Sequence, residues 1–338
     1  MSATPLRTRT TSARTGRPRL GAVAAAGAVG LLLAACGGGN AFSSSSSSGS
    51  SSSSAAAASG GGGKNLVVGG ANFTEMLIMQ QLYGQLLSKA GYNVSYKAVT
   101  AREVYEPALE KGDIDVVPEY LATMADFMNG KYNGKSAPSI SSSDAQATLG
   151  KLKPVLEKAG LTAFAVSPAA DSNAFAVLKK FADTNNLKTL SDLAKLNKPV
   201  SLAATTECPV RPFCQPGLEK TYGLKIKDVV PLGFGTPQAK QAVVSGKADM
   251  VLTGTTDATL SGLGLVLLQD DKGLQNADNL VPIVNTAAAN KPDIQQALDK
   301  LSQTLTTQDL SQLDAKVDAE RQKPEDVAKQ YLTSKGLL

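Results

Sequence analysis

The chain contains no histidine and no tryptophan, and only three cysteines in 338 residues. Without imidazole, Ser-His and Cys-His nucleophile arrangements are excluded, as are metal sites built on histidine ligands. No phosphate-loop glycine motif and no Ser-Lys signature is present either. The residues therefore assemble no catalytic constellation, and neither enzymatic activity nor a cofactor or metal is expected. Two of the cysteines, Cys208 and Cys214, fall close together in "TTECPVRPFCQPGLEKTYG". Such a pair suits a metal clip, a catalytic pair or a staple across the loop, although two thiolates alone make a poor zinc site.

A basic surplus is also missing. Arg7, Arg9, Arg14, Arg17 and Arg19 account for the whole formal charge of +5, leaving 29 basic residues against 29 acidic ones. A nucleic-acid binder shows a basic excess or stripe; none remains here, so no nucleic-acid partner is expected. The five arginines precede an uncharged run from Leu20 to Ala35. At about 16 residues it falls short of the roughly 20 needed to span a bilayer. It ends in Leu33-Ala34-Ala35-Cys36, which resembles a bacterial lipobox. A basic start, a short apolar stretch and small residues at the cut describe an export signal over 1–35. Cys36 is then the expected lipidation site, tethering the mature chain to the outer face of the cell membrane. In an exported, oxidising setting the staple reading of Cys208 and Cys214 is favoured; loop entropy makes so short a closure worth about 2 kcal/mol.

Residues 36–64 carry the lipid and a Gly/Ser-rich tract, "GGGNAFSSSSSSGSSSSSAAAASGGGG". Such a tract buries too little apolar area to order itself and spans roughly 30 Å as a coil. The remainder is long enough for two lobes with real cores. "NLVVGG" reads as a strand, and Phe73, Leu77, Leu82 and Leu86 follow at helical spacing. Asn72 with Glu75 three residues on resembles a capping box. Strand, helix and strand then alternate through "VSYKAV", "AREVYEPALEKG" and "IDVVP". The alternation resumes in "AFAVLKK", "PVSLAAT", "KDVVPLG", "ADMVLTG" and "LGLVLLQ", with a helix from Thr236 stopped by Gly246 and a helical C-terminus. The pattern predicts parallel sheets with helices on their faces. No repeat of fixed period is visible. Asn72, Tyr120, Asn173 and the loop around Arg211 fall at or just beyond strand ends, where open α/β sheets bind ligands.

The segments "GANFTE", "GDIDVVPEYLAT", "DSNAFAV", "LKTLSDLA", "PGLEKTYGL" and "GKADMVLTGTTD" occur in this order. Together they resemble the substrate-binding proteins of osmoprotectant ABC importers, the glycine betaine and choline class, over nearly everything after the tether. The resemblance implies an α/β, two-lobed type II periplasmic-binding-protein fold, with two hinge crossings and a ligand cleft between the lobes. Lobe 1 is expected over 65–170 and 275–338, and lobe 2 over 171–274. It also implies an aromatic cage around a quaternary ammonium, held by cation–π attraction, and Arg and hydroxyl groups for a carboxylate. Tyr120 and Phe175 fall at cage positions, Thr123 and Arg211 at carboxylate positions. The stapled loop would then pre-set the backbone presenting Arg211. Where the family has Tyr-Ser-Thr-Asp this chain reads Gly254-Thr255-Thr256-Asp257, and where it has Pro-Pro-Tyr-Asn it reads Pro282-Ile283-Val284-Asn285. Two cage tyrosines are therefore missing. Phe73 or Phe213 could fill in, and Asn72, Asn173 and Thr255 suit a more polar solute.

The expected function is a monomeric, lipid-anchored extracytoplasmic receptor that takes a small osmoprotectant into its cleft and delivers it to an ABC permease. The alternatives are the same role for another small polar or aromatic solute, and a surface or sensory lipoprotein without transport duty. Bland roles stand beside the sharp ones: Phe175 in a core, Asn72 as a helix cap, Asp171 and Asn173 shaping a turn, Asp257 capping the helix after it, Arg211 in an inter-lobe ion pair.

Overall fold

The computed structural model describes residues 64–338. The export signal, Cys36 and the tether up to residue 63 lie outside the described residues. The first stretch alternates as the patterning requires: β1 (Asn65–Ala71), α1 (Thr74–Lys89), β2 (Asn93–Val99), α2 (Arg102–Lys111), β3 (Val116–Tyr120), α3 (Leu121–Asn133), α4 (Ala145–Lys158) and the short β4 (Leu161–Ala163). The second comprises β5 (Asn173–Leu178), α5 (Lys179–Asn185), α6 (Leu190–Lys195), β6 (Pro199–Ala204), α7 (Gln215–Gly217), β7 (Lys225–Pro231), α8 (Pro237–Val244), β8 (Met250–Gly254) and β9 (Leu265–Leu268). Then come β10 (Leu280–Asn285), α9 (Thr286–Ala289), α10 (Pro292–Thr304), α11 (Thr307–Asp318) and α12 (Pro324–Ser334).

Among the described residues, ten strands form two five-stranded sheets, ordered β2-β1-β3-β10-β4 and β7-β6-β8-β5-β9. In each, three strands run parallel, as β1 with β2 and β3, and β6 with β7 and β8. The expectation of parallel sheets fails at β10 and β5, which run antiparallel to both their neighbours. Each of these strands begins where the chain has just crossed from the other sheet. It therefore enters from the hinge side, whereas the βα units return over a helix and enter from the far side. The crossings, 164–172 and 269–279, lie side by side, with an antiparallel bridge between Ala170 and Asn279.

Local signals account for the element ends. Gly112 closes α2 and Gly246 follows α8, both with positive φ (79° and 73°) that a side chain would resist. The Thr236 hydroxyl accepts from the Ala239 N–H, and Pro237 at the first helical position has no N–H to leave unpaired. One core sits in the first lobe, where α1 packs against α11 and α12 and buries Leu82 and Leu86. In the second lobe, alternation along β5 sends Phe175 and Val177 to one side of the sheet and Ala176 to the other.

Candidate functional site

The lobes meet around a cavity of about 160 Å³. Its walls come from the carboxyl ends of strands in both sheets: Asn72 and Phe73 after β1, Phe234 after β7, Thr256 after β8. The first crossing adds Asp171 and α11 adds Asp314. This is where an open α/β sheet places its ligands.

Two aromatic rings, Phe73 and Phe234, line the cavity, and the buried Tyr120 stands against Phe73 without lining it. Phe73 lies 5.0 Å from Phe234 across the lobe boundary and 6.1 Å from Tyr120 within its own lobe. Phe73 lines the cavity. Phe234 escaped the sequence reading, although it stands between Gly233 and Gly235 directly after a strand. Both glycines have positive φ (89° and 56°), a tight turn that projects the intervening ring.

Beneath the rings the lining is acidic. Glu75 does not close a capping box on Asn72: the helix cap is Phe73, without a side-chain bond. Its carboxylate instead accepts from the Tyr120 hydroxyl at 2.6 Å and the Thr256 hydroxyl at 3.0 Å. Asp171 accepts from the Thr255 hydroxyl at 2.9 Å and the Thr256 N–H at 3.1 Å. Asp314 Oδ2 lies 3.2 Å from the same Thr256 hydroxyl, and its Oδ1 is buried with no partner. Burial pushes Glu75 well above the usual carboxylate range, and the charges of Asp171 and Asp314 push it further. Asp314 is raised by burial and then by Asp171. Burial lifts Asp171 to about 6 against the pull of its threonine bonds.

Gly254, at one of the missing cage tyrosines, has a steric reason. A Cβ there would lie 2.3 Å from Asp171 Oδ2, so any side chain on that residue requires this carboxylate to move. The other gap, Pro282-Ile283, falls within β10, where Ile283 is buried in the first sheet.

The remaining expected contacts scatter. Phe175 is a correction: the ring is 1% exposed in the second lobe's core, facing Leu252 and Leu268 on the flanking strands, and offers no face to the cavity. Thr123 is held inside its lobe, accepting from Arg102 at 3.0 Å while its N–H donates to Asp278 at 3.0 Å. Asn173 pairs with Gly254 in the sheet. Asp257 bonds the Thr259 N–H and is paired with buried Lys240 at 2.9 Å. Cys208 and Cys214 form the expected disulfide, their Cα atoms 5.2 Å apart and both buried. The loop presents Arg211 to Glu103 of α2, a 2.7 Å ion pair between lobes, and Arg211 does not line the cavity.

Sequence comparison bears on the family. Residues 64–334 match the family model described as the substrate binding domain of ABC-type glycine betaine transport system. YehZ of Escherichia coli, a glycine betaine-binding protein, is 28% identical over 281 residues, 80% of this chain and 90% of its own. A glycine-betaine-binding protein of Pseudomonas aeruginosa is 26% identical over 285 residues, 81% of this chain and 88% of its own. The solved structure of apo YehZ superposes with a TM-score of 0.56 at 26% identity, covering 81% of this chain and 99% of that one. The fold is the two-lobed type II arrangement that the motif order implied, and the chain belongs to the family of substrate-binding domains of ABC-type glycine betaine transport systems.

Proposed function

We propose that this protein is an extracytoplasmic receptor that captures a small quaternary-ammonium osmolyte between its lobes and hands it to a membrane permease. The observation that carries the reading is the pair of rings Phe73 and Phe234 lining the inter-lobe cavity, with Tyr120 packed behind Phe73. A permanent cation without N–H groups is held best by ring faces. Phe234 belongs to one lobe and the other two rings to its partner, so a cation seated among them favours approach of the lobes. Anchoring through a lipid on Cys36 completes the role, keeping the receptor near its permease.

Titrating the purified full chain with glycine betaine, choline, carnitine and proline betaine, followed by thermal unfolding, tests this. A ligand at 100 times its Kd stabilises by about 2.7 kcal/mol, a clear rise in Tm. Phe73→Ala or Phe234→Ala is expected to abolish the rise. A rise with a different solute and none with any quaternary amine would keep the receptor and replace its cargo.

A further inference from the structure

We propose that Phe234 is a built-in competitor of the solute: seated on Phe73, it closes one lobe on the other, and the two rings must part before a cargo can reach between their faces. This rests on the cleft reading above and adds the regulation of the same site.

The ring centroids stand 5.0 Å apart and the planes are tilted by 54°, inside the range of about 4.5–7 Å at which aromatic pairs pack. A solute held by both faces needs contact distances of about 3.5–4.0 Å on either side of its own width. The centroids would then stand more than about 7 Å apart, so the contact as built excludes it. Phe73 has no room to withdraw. Tyr120 stacks behind it at 6.1 Å and 29°, is 7% exposed, and is fixed by its hydroxyl, which donates to Glu75 at 2.6 Å.

Phe234 does not sit on a loose loop either. The Leu232 and Gly233 N–H groups both donate to the Ala204 carbonyl, at 2.9 and 3.0 Å, and the Gly235 N–H donates to the Leu252 carbonyl at 3.0 Å. The Thr236 hydroxyl closes back on the Leu232 carbonyl. A Cβ on Gly233 would lie 2.8 Å from Thr236 Cγ2, and one on Gly235 would lie 2.9 Å from Thr253 Oγ1. The turn is packed tightly on the second lobe, and its backbone moves with that lobe. Parting the rings is therefore opening of the lobes. Arg211 on Glu103 at 2.7 Å and the Thr256 hydroxyl on Glu75 at 3.0 Å also join the lobes; the ring pair is the link whose place a solute takes.

Binding exchanges one ring–ring contact for two ring–solute contacts. The apparent affinity is the intrinsic one scaled down by the fraction of molecules whose rings are parted.

Small-angle X-ray scattering of the full chain, without solute and with saturating glycine betaine, tests the competitor. Without solute, Phe73→Ala and Phe234→Ala are each expected to expand the molecule, the closed-to-open ratio falling roughly two- to tenfold. The double variant should expand no further than either single one, because both remove the same contact. A thermal melt of each variant confirms that it folds; where one does not, Phe234→Leu, which keeps apolar bulk and drops the ring, takes its place. Variants that scatter as the parent does would overturn the competitor and leave the cleft reading to its own test. A parent that contracts on adding glycine betaine would also overturn it, while supporting the cleft reading. Variants that expand, with no quaternary amine raising the parent's Tm, would support the competitor and overturn the cargo.

Discussion

Two buried acidic clusters sit on opposite sides of β3, and adjacent residues lead into them. Glu119 points one way, into a bidentate pair with Arg102 at 3.0 and 2.7 Å, with the Tyr105 hydroxyl at 2.7 Å and the Tyr120 N–H at 3.1 Å as further donors. Tyr120 points the other way, and its hydroxyl donates to Glu75. Glu119 and Arg102 are 0% and 6% exposed, Glu75 4%, so burial does not separate the clusters. Compensation does. Glu119 has a guanidinium and satisfied oxygens, whereas the charges acting on Glu75 are those of two more acids. A buried charge needs a partner; the first cluster carries its own, and the second holds protons instead, its carboxyls raised by burial.

The contrast is broken most forcefully at Arg102. Arg102→Met fills similar volume but leaves Glu119 without its cation, and removal of one partner of a buried pair costs about 3–5 kcal/mol. Urea unfolding should show that loss as a lower midpoint with an unchanged slope. In the acidic cluster Asp314→Asn removes no partner from any charge, and its ligand-free midpoint should stay within about 0.5 kcal/mol of the parent. Equal destabilisation by the two substitutions would erase the distinction.

Proton linkage gives the next largest effect. Asp171 is raised from 3.8 to about 6, and Glu75 and Asp314 are raised as well. An acid whose pKa is higher folded than unfolded binds more protons in the native state, so its stabilisation is complete below the unfolded pKa and disappears as pH climbs through the folded one. Asp171 alone corresponds to about 3 kcal/mol at 1.36 kcal/mol per pH unit. Ligand-free protein is therefore expected to lose stability between about pH 4 and pH 7. Glu75→Gln should flatten that slope in part. Asp278 and Glu106, both raised to about 7 chiefly by burial, keep the remainder. A midpoint that rises over the same interval would contradict the assignment of protons to this cluster.

Much of the scaffold was readable because each signal was local. Strands β1, β6, β7 and β8, the Gly112 and Gly246 helix stops and the Thr236 cap all follow from neighbours a few residues apart. The antiparallel entry of β5 and β10 was not readable, since it depends on which sheet the chain has just left. The lobes repeat one strand order without a readable sequence repeat, and even a shared detail is hidden. Asp115 bonds the Val67 N–H and Asp249 the Ser201 N–H, each tying the start of one strand to its neighbour. The site was legible only at its rim. Asn72, Phe73 and Tyr120 stand at strand ends, but Asp314 comes from a helix more than 180 residues after β3 and looks like any acid on an amphipathic helix. Glu75 carried a signal that pointed elsewhere, toward a helix cap. Phe175 misled because a motif position says nothing of which side of the strand the ring takes.

The smallest expected effect separates the sequence expectation for Arg211 from the structural one. Its pair with Glu103 is about one-third exposed on both sides, and an ion pair of that kind contributes roughly 0–1 kcal/mol. Because it spans the lobes, its loss loosens closure and reaches the ligand only through that equilibrium. Arg211→Ala, and equally Glu103→Gln, should lower choline affinity by no more than about fivefold, with the same small drop produced in the parent by raising salt toward 1 M. An arginine that touched the cargo directly would behave otherwise. Arg211→Ala would then weaken glycine betaine far more than choline, and Glu103→Gln, by freeing the guanidinium, would strengthen it. The ratio of the two variants' effects on the two solutes decides whether the stapled loop is a clasp between lobes or part of the binding site.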